Sequence, residues 1–241
     1  MKTTTNRLRV LVTVVLVSGL VAPSPSFGKG DVAAWNARIQ ETVGLLRAGN
    51  AAQARATIGP VLEEMTAEVH PGKNAAHAFG LALMLRALAE AGNGDERLAL
   101  WDWHVAQQLD PAMEQWDLRE FGAAGELLAR HRLTNDPVPS ATTDDELKKS
   151  GGQKPTLLTR GRQPSYVEKS RLRRWTGSIK LVLRIDAEGL PGYPRFVRRT
   201  EEIAMVFATC EYARELTFTP AKQNGQPVAV IYDLTVNYRL Q

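Results

Sequence analysis

Only one cysteine, Cys210, occurs among the 241 residues, so the chain cannot form an internal disulfide. Cysteine usage therefore neither requires nor excludes an oxidising compartment. The four histidines are scattered, and none has a companion at the spacing of a zinc site. The sequence also lacks a Gly-x-Ser-x-Gly element, a phosphate-binding loop and a dinucleotide fingerprint. We therefore predict no catalytic residues, no metal site and no cofactor, and we do not expect an enzyme.

Long apolar runs are also scarce, and one stands near the N-terminus, from Val10 to Ala22. It follows the basic leader MKTTTNRLR and precedes PSPSFG, an order typical of a secretory signal peptide. We predict that residues 1–28 are this signal, cleaved after Gly28, and that the protein is periplasmic. The run is shorter than the ~20 residues that a membrane-spanning helix needs. The alternative is an inner-membrane anchor facing the periplasm, and membrane association is expected only in that case.

Charge divides the rest of the chain into two parts of opposite sign. Residues 29–153 carry 12 basic and 18 acidic residues, whereas residues 154–241 carry 15 and 8. This asymmetry predicts two domains, of which the basic one could meet an acidic peptide, anionic lipid or the protein's own acidic part. We do not predict nucleic-acid binding, because an exported protein seldom meets nucleic acid and the arginines equally fit an exposed face.

The acidic part has the periodicity of helices. Two apolar sets recur at helical spacing: Trp35, Ile39, Val43 and Leu46, then Leu98, Trp101, Val105 and Leu109. The element AGN occurs twice, so that Gly49 or Gly92 can stop a helix and Asn50 or Asn93 can begin the next.

These hairpins resemble tetratricopeptide-type repeats, and we predict a helical-repeat domain over residues 29–133. The two AGN elements lie 43 residues apart rather than the usual ~34 of that repeat, and Pro60 falls inside a predicted helix. An irregular helical bundle is the alternative. Residues 134–160 are rich in Pro, Ser, Thr and Gly and change charge sign, which predicts an exposed linker.

The basic part, residues 161–241, alternates between helical and strand patterns. A Ser165–Glu168 capping box predicts a short helix from Tyr166, and Thr200 can cap a second helix. The buried face of that second helix is predicted to hold Ile203, Val206, Phe207 and Cys210. Three strands are expected: Ile179 to Ile185 ending in a turn at Gly189, an edge strand around Pro191 and Pro194, and a long strand from Val228 to Leu240 after an Asn224-Gly225 turn. The order predicts an α+β fold with an antiparallel three-stranded sheet and two helices.

Several of these pieces together resemble the C-terminal domain of TonB, the periplasmic energy transducer that contacts outer-membrane receptors. The pieces are QPSY, a basic helix, Gly177 before an alternating strand, IDAEG, LTFTPA, NGQPV and a final strand ending in NYRL. They occur in the family's order between Gln163 and Leu240. Val167 departs from the family, which usually has proline there.

The resemblance implies binding by β-strand addition, in which an extended receptor segment pairs with the final strand. It assigns partner binding to these residues: Gln163, Pro164, Tyr166, Val228, Val230, Ile231, Tyr232, Asp233, Leu234, Thr235, Val236, Asn237 and Tyr238. The expected partners are proteins, among them TonB-dependent outer-membrane receptors, and a homodimer is a further expectation because a long terminal strand can pair with its own copy.

We therefore expect a periplasmic TonB-like protein that binds a receptor segment in TonB-dependent transport. A transducer needs a membrane anchor and a long proline-rich spacer, and a predicted cleavable signal and helical region stand in their place, so energy transduction by this protein alone is not expected. The alternative is an envelope scaffold whose helical domain binds the main ligand and whose C-terminal domain dimerises.

Overall fold

Helices make up the first part of the chain. The computed structural model describes residues 29–68, 73–135, 138–158, 164, 166–198 and 202–239. The long helices of this part are α1 (Lys29–Arg47), α2 (Ala51–Glu68), α3 (Lys73–Gly92) and α4 (Glu96–Leu109). Two short 3₁₀ turns (Pro111–Gln115 and Arg119–Phe121) and α5 (Gly122–Arg130) follow. The predicted signal peptide lies outside the described residues, and no helix within them is long and apolar enough to cross a bilayer.

The first helix junction forms as predicted. Gly49 has φ +76°, its N–H donates to the Leu46 carbonyl at 3.0 Å, and the Asn50 N–H donates to the Leu45 carbonyl at 2.8 Å. This paired arrangement, in which a left-handed glycine closes the last helical turn, is the Schellman motif. The predicted apolar face of α1 is likewise confirmed, because Trp35 and Ile39 are both buried.

The second junction lies two residues later than predicted. Gly92 remains helical in α3, and Gly94, with φ +84°, ends the helix instead. The Asp95 carboxylate, not Asn93, caps α4 by accepting from the Leu98 N–H at 3.0 Å. Gly92 has a different role: a Cβ built there would lie 2.6 Å from the Ala51 Cβ, so the glycine lets α2 and α3 approach closely.

The stretch predicted as a linker contains a helix, α6 (Asp144–Lys149). Thr143 and Glu146 form a complete capping box at its start, and Leu147 is buried in the core. Further along, Gln153 bridges to Lys222 and Leu157 bridges to Phe218. This stretch is therefore attached to the C-terminal part at several points.

The C-terminal part has the predicted α+β fold. Its elements are α7 (Glu168–Leu172), β1 (Gly177–Ile185), β2 (Pro191–Phe196), α8 (Ile203–Arg214), β3 (Ala221–Gln223), β4 (Gln226–Val228) and β5 (Val230–Tyr238). Strands β2, β1 and β5 form an antiparallel sheet in that order, and β3 and β4 form a separate hairpin. The confirmed prediction is thus a small three-stranded sheet with β5 at one edge.

Several boundaries in this part differ from the prediction. Helix α7 begins at Glu168 rather than Tyr166, and α8 begins at Ile203, while Ser165 and Thr200 lie outside the described residues. The long final strand is divided, because Val228 belongs to β4 and pairs with Ala221. The predicted Asn224-Gly225 turn is confirmed and connects β3 to β4, with φ values of +51° and +81°.

Helix α8 lies between the sheet and the N-terminal helices. Its four predicted core residues, Ile203, Val206, Phe207 and Cys210, are all buried. The Phe207 ring contacts that of Phe79 in α3 at 5.4 Å between centroids. On the sheet side, the Thr209 hydroxyl lies 2.8 Å from that of Tyr238 in β5. The two parts of opposite charge therefore share one hydrophobic core.

Buried ion pairs also join the two parts. Arg86 in α3 donates to Asp102 in α4 at 2.6 and 2.7 Å and to Glu211 in α8 at 2.6 and 3.0 Å. Arg214 in α8 adds a hydrogen bond to Asp102 at 3.2 Å. Each partner neutralises a charge that would be costly to bury alone, so the cluster holds α8 against α3 and α4.

Candidate functional site

The backbone of β5 has alternate groups that point away from β1. Ile231 lies opposite Arg184 of β1, yet its N–H donates to the Thr142 carbonyl on the other side, at 3.1 Å. Direction alternates along an antiparallel strand, so the N–H and C=O of Asp233, Thr235 and Asn237 also point away from β1. These groups form the outer edge of β5.

The start of this edge is covered by the protein itself. Thr142 runs parallel to β5 opposite Val230, and its N–H donates to the Ala229 carbonyl at 2.8 Å. With the bond from Ile231, Thr142 uses the Ala229 carbonyl and the Ile231 N–H. We call residues 140–143, which precede α6, the edge-covering segment.

The rest of the β5 edge is open. Within the residues described, the outward backbone groups of Asp233, Thr235 and Asn237 have no backbone partner. The side chains of these three residues are exposed, whereas those of Leu234 and Val236, on the face that packs against α8, are half-buried. We call Asp233–Asn237 the open edge. It offers unpaired main-chain groups beside an incompletely covered apolar surface.

The opposite edge of the sheet, at β2, is covered by α4. The Gln108 side-chain amide donates to the Pro194 carbonyl at 2.7 Å, and its oxygen accepts from the Phe196 N–H at 2.8 Å. Arg97 reaches the Pro191 carbonyl at 3.4 Å. Gln108 thus takes the place of a neighbouring strand. Among the described residues, the three-stranded sheet retains one open edge, that of Asp233–Asn237.

Aromatic side chains gather at the far end of β5. The ring centroid of Tyr238 lies 5.7 Å from that of Tyr166 and 6.0 Å from that of Trp175. Burial raises the pKa of Tyr238 to about 12, and the bond with Thr209 offsets only part of this effect. The pKa of Tyr166 is also raised, first by burial and then by the charge of Glu202. Both phenols are therefore neutral at ordinary pH, and the three rings form an uncharged aromatic cluster at this end of β5.

The structure brings most of the predicted binding residues to this strand. Strand β5 contains nine of them: Val230, Ile231, Tyr232, Asp233, Leu234, Thr235, Val236, Asn237 and Tyr238. Tyr166 packs against the end of β5, and Pro164 lies two residues before it in the chain and is half-buried. Val228 lies in β4, one residue before the covered start of the edge, and Gln163 lies outside the described residues.

Sequence reasoning missed Thr142, which covers the start of the β5 edge, and Gln108, which covers the opposite edge at β2. The capping box of Thr143 and Glu146 could have revealed α6, but nothing in the local pattern indicates that the residue before it pairs with β5. In the described ranges, no three His, Cys, Asp or Glu side chains lie close enough together to hold a metal ion.

A comparison with protein families finds a match in the C-terminal part of the chain. Residues 162–240 match the family described as Gram-negative bacterial TonB protein C-terminal. The match covers about a third of the chain and includes α7, α8 and all five strands, but none of α1–α6. No curated protein matches the chain. The predicted resemblance is thus confirmed for this part, and the matched family consists of non-enzymatic interaction domains that act in the cell envelope.

Proposed function

We propose that this protein is exported to the periplasm and binds an extended segment of a protein partner by β-strand addition to the open edge, Asp233–Asn237. The partner is a segment of an outer-membrane receptor, and the process served is TonB-dependent transport. One observation carries the proposal: within the described residues, the outward backbone groups of Asp233, Thr235 and Asn237 have no backbone partner, while the opposite edge at β2 is covered by Gln108.

Two further features support it. The family match provides a class of domains that bind protein partners in the envelope. The predicted signal peptide would deliver the chain to the compartment where receptor segments are exposed. The likeness to tetratricopeptide repeats stays a prediction, and the helical part has one clear structural role, which is to cover the β2 edge and one side of α8.

Substitutions at Thr235 test the proposal without disturbing the rest of the sheet. The Thr235 N–H points away from β1, so Thr235→Pro removes a donor from the open edge and leaves the β1 ladder paired. Thr235→Val keeps the donor and is the matched control. The full chain would be titrated by calorimetry with synthetic peptides from the periplasm-facing segments of outer-membrane receptors.

We expect Thr235→Pro to weaken peptide binding by about tenfold, the equivalent of about one unmade hydrogen bond, and Thr235→Val to bind like the unchanged protein. Circular dichroism spectra would be used to check that both variants are folded. If the folded Thr235→Pro variant bound the peptides as tightly as the control, strand addition at this edge would be wrong.

An envelope scaffold that dimerises through its C-terminal part is the second candidate. The same open edge favours it, because unpaired backbone groups pair equally with a second copy. Sedimentation of the full chain over a range of concentrations distinguishes the two. A dimer that Thr235→Pro dissociates supports the scaffold, and a monomer that binds receptor peptides supports the receptor-binding function.

A further inference from the structure

The edge-covering segment limits how far a partner strand can extend. It already uses the Ala229 carbonyl and the Ile231 N–H, so a partner strand that arrives from the Tyr238 end meets Thr142 before it reaches these groups. Within the described residues, Asp233, Thr235 and Asn237 are the residues of β5 whose outward N–H and C=O both lack a backbone partner.

The segment is held in place by its attachment to the fold. Its last residue, Thr143, begins the α6 capping box, and Leu147 of α6 is buried in the core. Behind α6, Gly152 donates to the Leu147 carbonyl at 2.8 Å, and Gln153 exchanges two backbone hydrogen bonds with Lys222, at 2.8 and 2.9 Å. To displace Thr142, a partner would have to compete with a segment already held against the sheet on its C-terminal side.

The side chains of the open edge indicate the chemistry of the partner. Leu234 and Val236 are half-buried on the α8 side, so a partner strand covers apolar surface if its residues there are apolar. On the other face Asp233 is exposed, and no ion pair involving it occurs within the described residues. A cross-strand neighbour of opposite charge would stabilise pairing at that position.

We propose that Thr142 is a built-in stop, and that the partner is a short strand that pairs with Asp233–Asn237 only. Its residues alternate between apolar and polar, and it places a Lys or Arg beside Asp233. This inference rests on the proposed function, because it describes the segment that strand addition would accept.

Two lengths of alternating valine–threonine peptide test the stop. The short peptide matches Asp233–Asn237, and the long peptide would also reach Ala229 and Ile231. Each carries one lysine opposite Asp233, which is an end position of the short peptide and the central position of the long one. The short peptide is made with the lysine at either end, so that both strand directions are sampled. They are titrated into the full chain, into Thr142→Pro, which cannot donate to Ala229, and into Thr142→Val, which keeps that donor.

With the unchanged protein and with Thr142→Val, we expect the long peptide to bind no more tightly than the short one. With Thr142→Pro, we expect the long peptide to gain about tenfold over the short one, because the Ala229 carbonyl loses its partner and one of the two hydrogen bonds that hold residue 142 against β5 is removed. In the unchanged protein, residue-resolved hydrogen exchange with either peptide should show new protection of the amides of Asp233, Thr235 and Asn237. The protection of the Ile231 amide should stay the same, because it is already bonded to Thr142.

Charge is tested with the short peptide alone. Replacing its lysine by glutamate should weaken binding by about threefold or more, and Asp233→Asn should remove that difference. Equal binding of the two peptides to the unchanged protein would contradict the assignment of a cationic residue beside Asp233.

The remaining outcomes separate the inference from the proposed function. If the short peptide protects the open edge but the long one binds about tenfold tighter to the unchanged protein, the stop is wrong and strand addition stands. If no peptide protects the edge while protection rises with protein concentration, the edge pairs with a second copy and both proposals fail.

Discussion

Arg86 and Glu211 are joined by two hydrogen bonds, of 2.6 and 3.0 Å, across the boundary between the N-terminal helices and the C-terminal part. Burial alone would raise the pKa of Glu211, but the charge and hydrogen bonds of Arg86 outweigh it, so the pKa is lowered. Glu211 therefore remains ionised beside Arg86, and the pair joins α3 to α8.

Removing Arg86 should strongly destabilise the protein. Arg86→Met leaves the carboxylates of Asp102 and Glu211 without their main partner, and we expect the free energy of unfolding to fall by about 3–5 kcal/mol. Arg119→Met is the matched control, since Arg119 pairs with Asp117 in solvent, and it should leave stability unchanged. Urea denaturation measures both. A loss for Arg86→Met no larger than that of the control would contradict the structural role of the pair.

Glu90 should make stability depend on pH. Burial raises its pKa above the ordinary 4.5, only partly opposed by Arg55, so the folded protein holds this proton more tightly than the unfolded chain. Its contribution is therefore greatest in acid and is lost as pH rises from about 4.5 through the raised pKa. We expect Glu90→Gln to gain stability relative to the unchanged protein over that range, as measured by urea denaturation at a series of pH values.

Glu64 provides a control for Glu90, because its pKa is shifted in the opposite direction. The hydrogen bond from Arg38, and then that from Trp35, lower its pKa from 4.5 to about 2. Its contribution is present above the ordinary value and is lost as pH falls through about 2. The stability deficit of Glu64→Gln should therefore shrink in acid. If the stabilities of the two variants, relative to the unchanged protein, changed with pH in the same direction, the surroundings described for Glu90 or for Glu64 would be wrong.

Gln108 should be needed to cover the β2 edge. Gln108→Leu leaves the Pro194 carbonyl and the Phe196 N–H unpaired, which should cost about 1–3 kcal/mol and expose an edge that can associate. Gln108→Glu keeps the acceptor for Phe196 but loses the donor to Pro194, so we expect an intermediate loss. Thermal unfolding and light scattering test this order, and a fully stable, monomeric Gln108→Leu would contradict it.

Gly189 should tolerate no side chain. Its φ is +87°, and a Cβ there would lie 2.0 Å from the Phe218 carbonyl oxygen, so Gly189→Ala must displace backbone. Gly225 has a similar φ of +81° but open space around its Cβ position. Gly225→Ala should therefore cost only the conformational penalty of about 1–2 kcal/mol, and Gly189→Ala clearly more. Equal losses in denaturation experiments would show that the close approach to Phe218 is absent.

Signals that act within a few residues were predictable from the sequence. Residues that favour a positive φ predicted the helix end at Gly49 and the turns at Gly189 and Asn224-Gly225, and the structure agrees. Apolar spacing predicted the buried face of α8, which the structure also confirms. The second helix stop was predicted two residues early because Gly92 and Gly94 are both present, and only the packing of Gly92 against Ala51 distinguishes them.

Contacts between distant residues were not predictable in this way. Gln108 and Pro194 lie 86 positions apart, and no local pattern indicates that a glutamine on a helix will pair with the edge of a sheet. The same holds for Thr142, which stands in a stretch whose composition indicates a loop, yet bonds to β5. The alternation of β5 predicted a strand, but where its open edge begins depends on Thr142, and whether the β2 edge is also open depends on Gln108.

The position of α8 restricts how this protein can be re-engineered. A family segment with solvent behind its helix could be shuffled freely between proteins, but here Phe207 meets Phe79 and Glu211 meets Arg86. Recombination that separated residues 162–240 from α3 would leave an apolar ring and an acid without their counterparts. Substitutions on one side of this contact should therefore be matched by substitutions on the other.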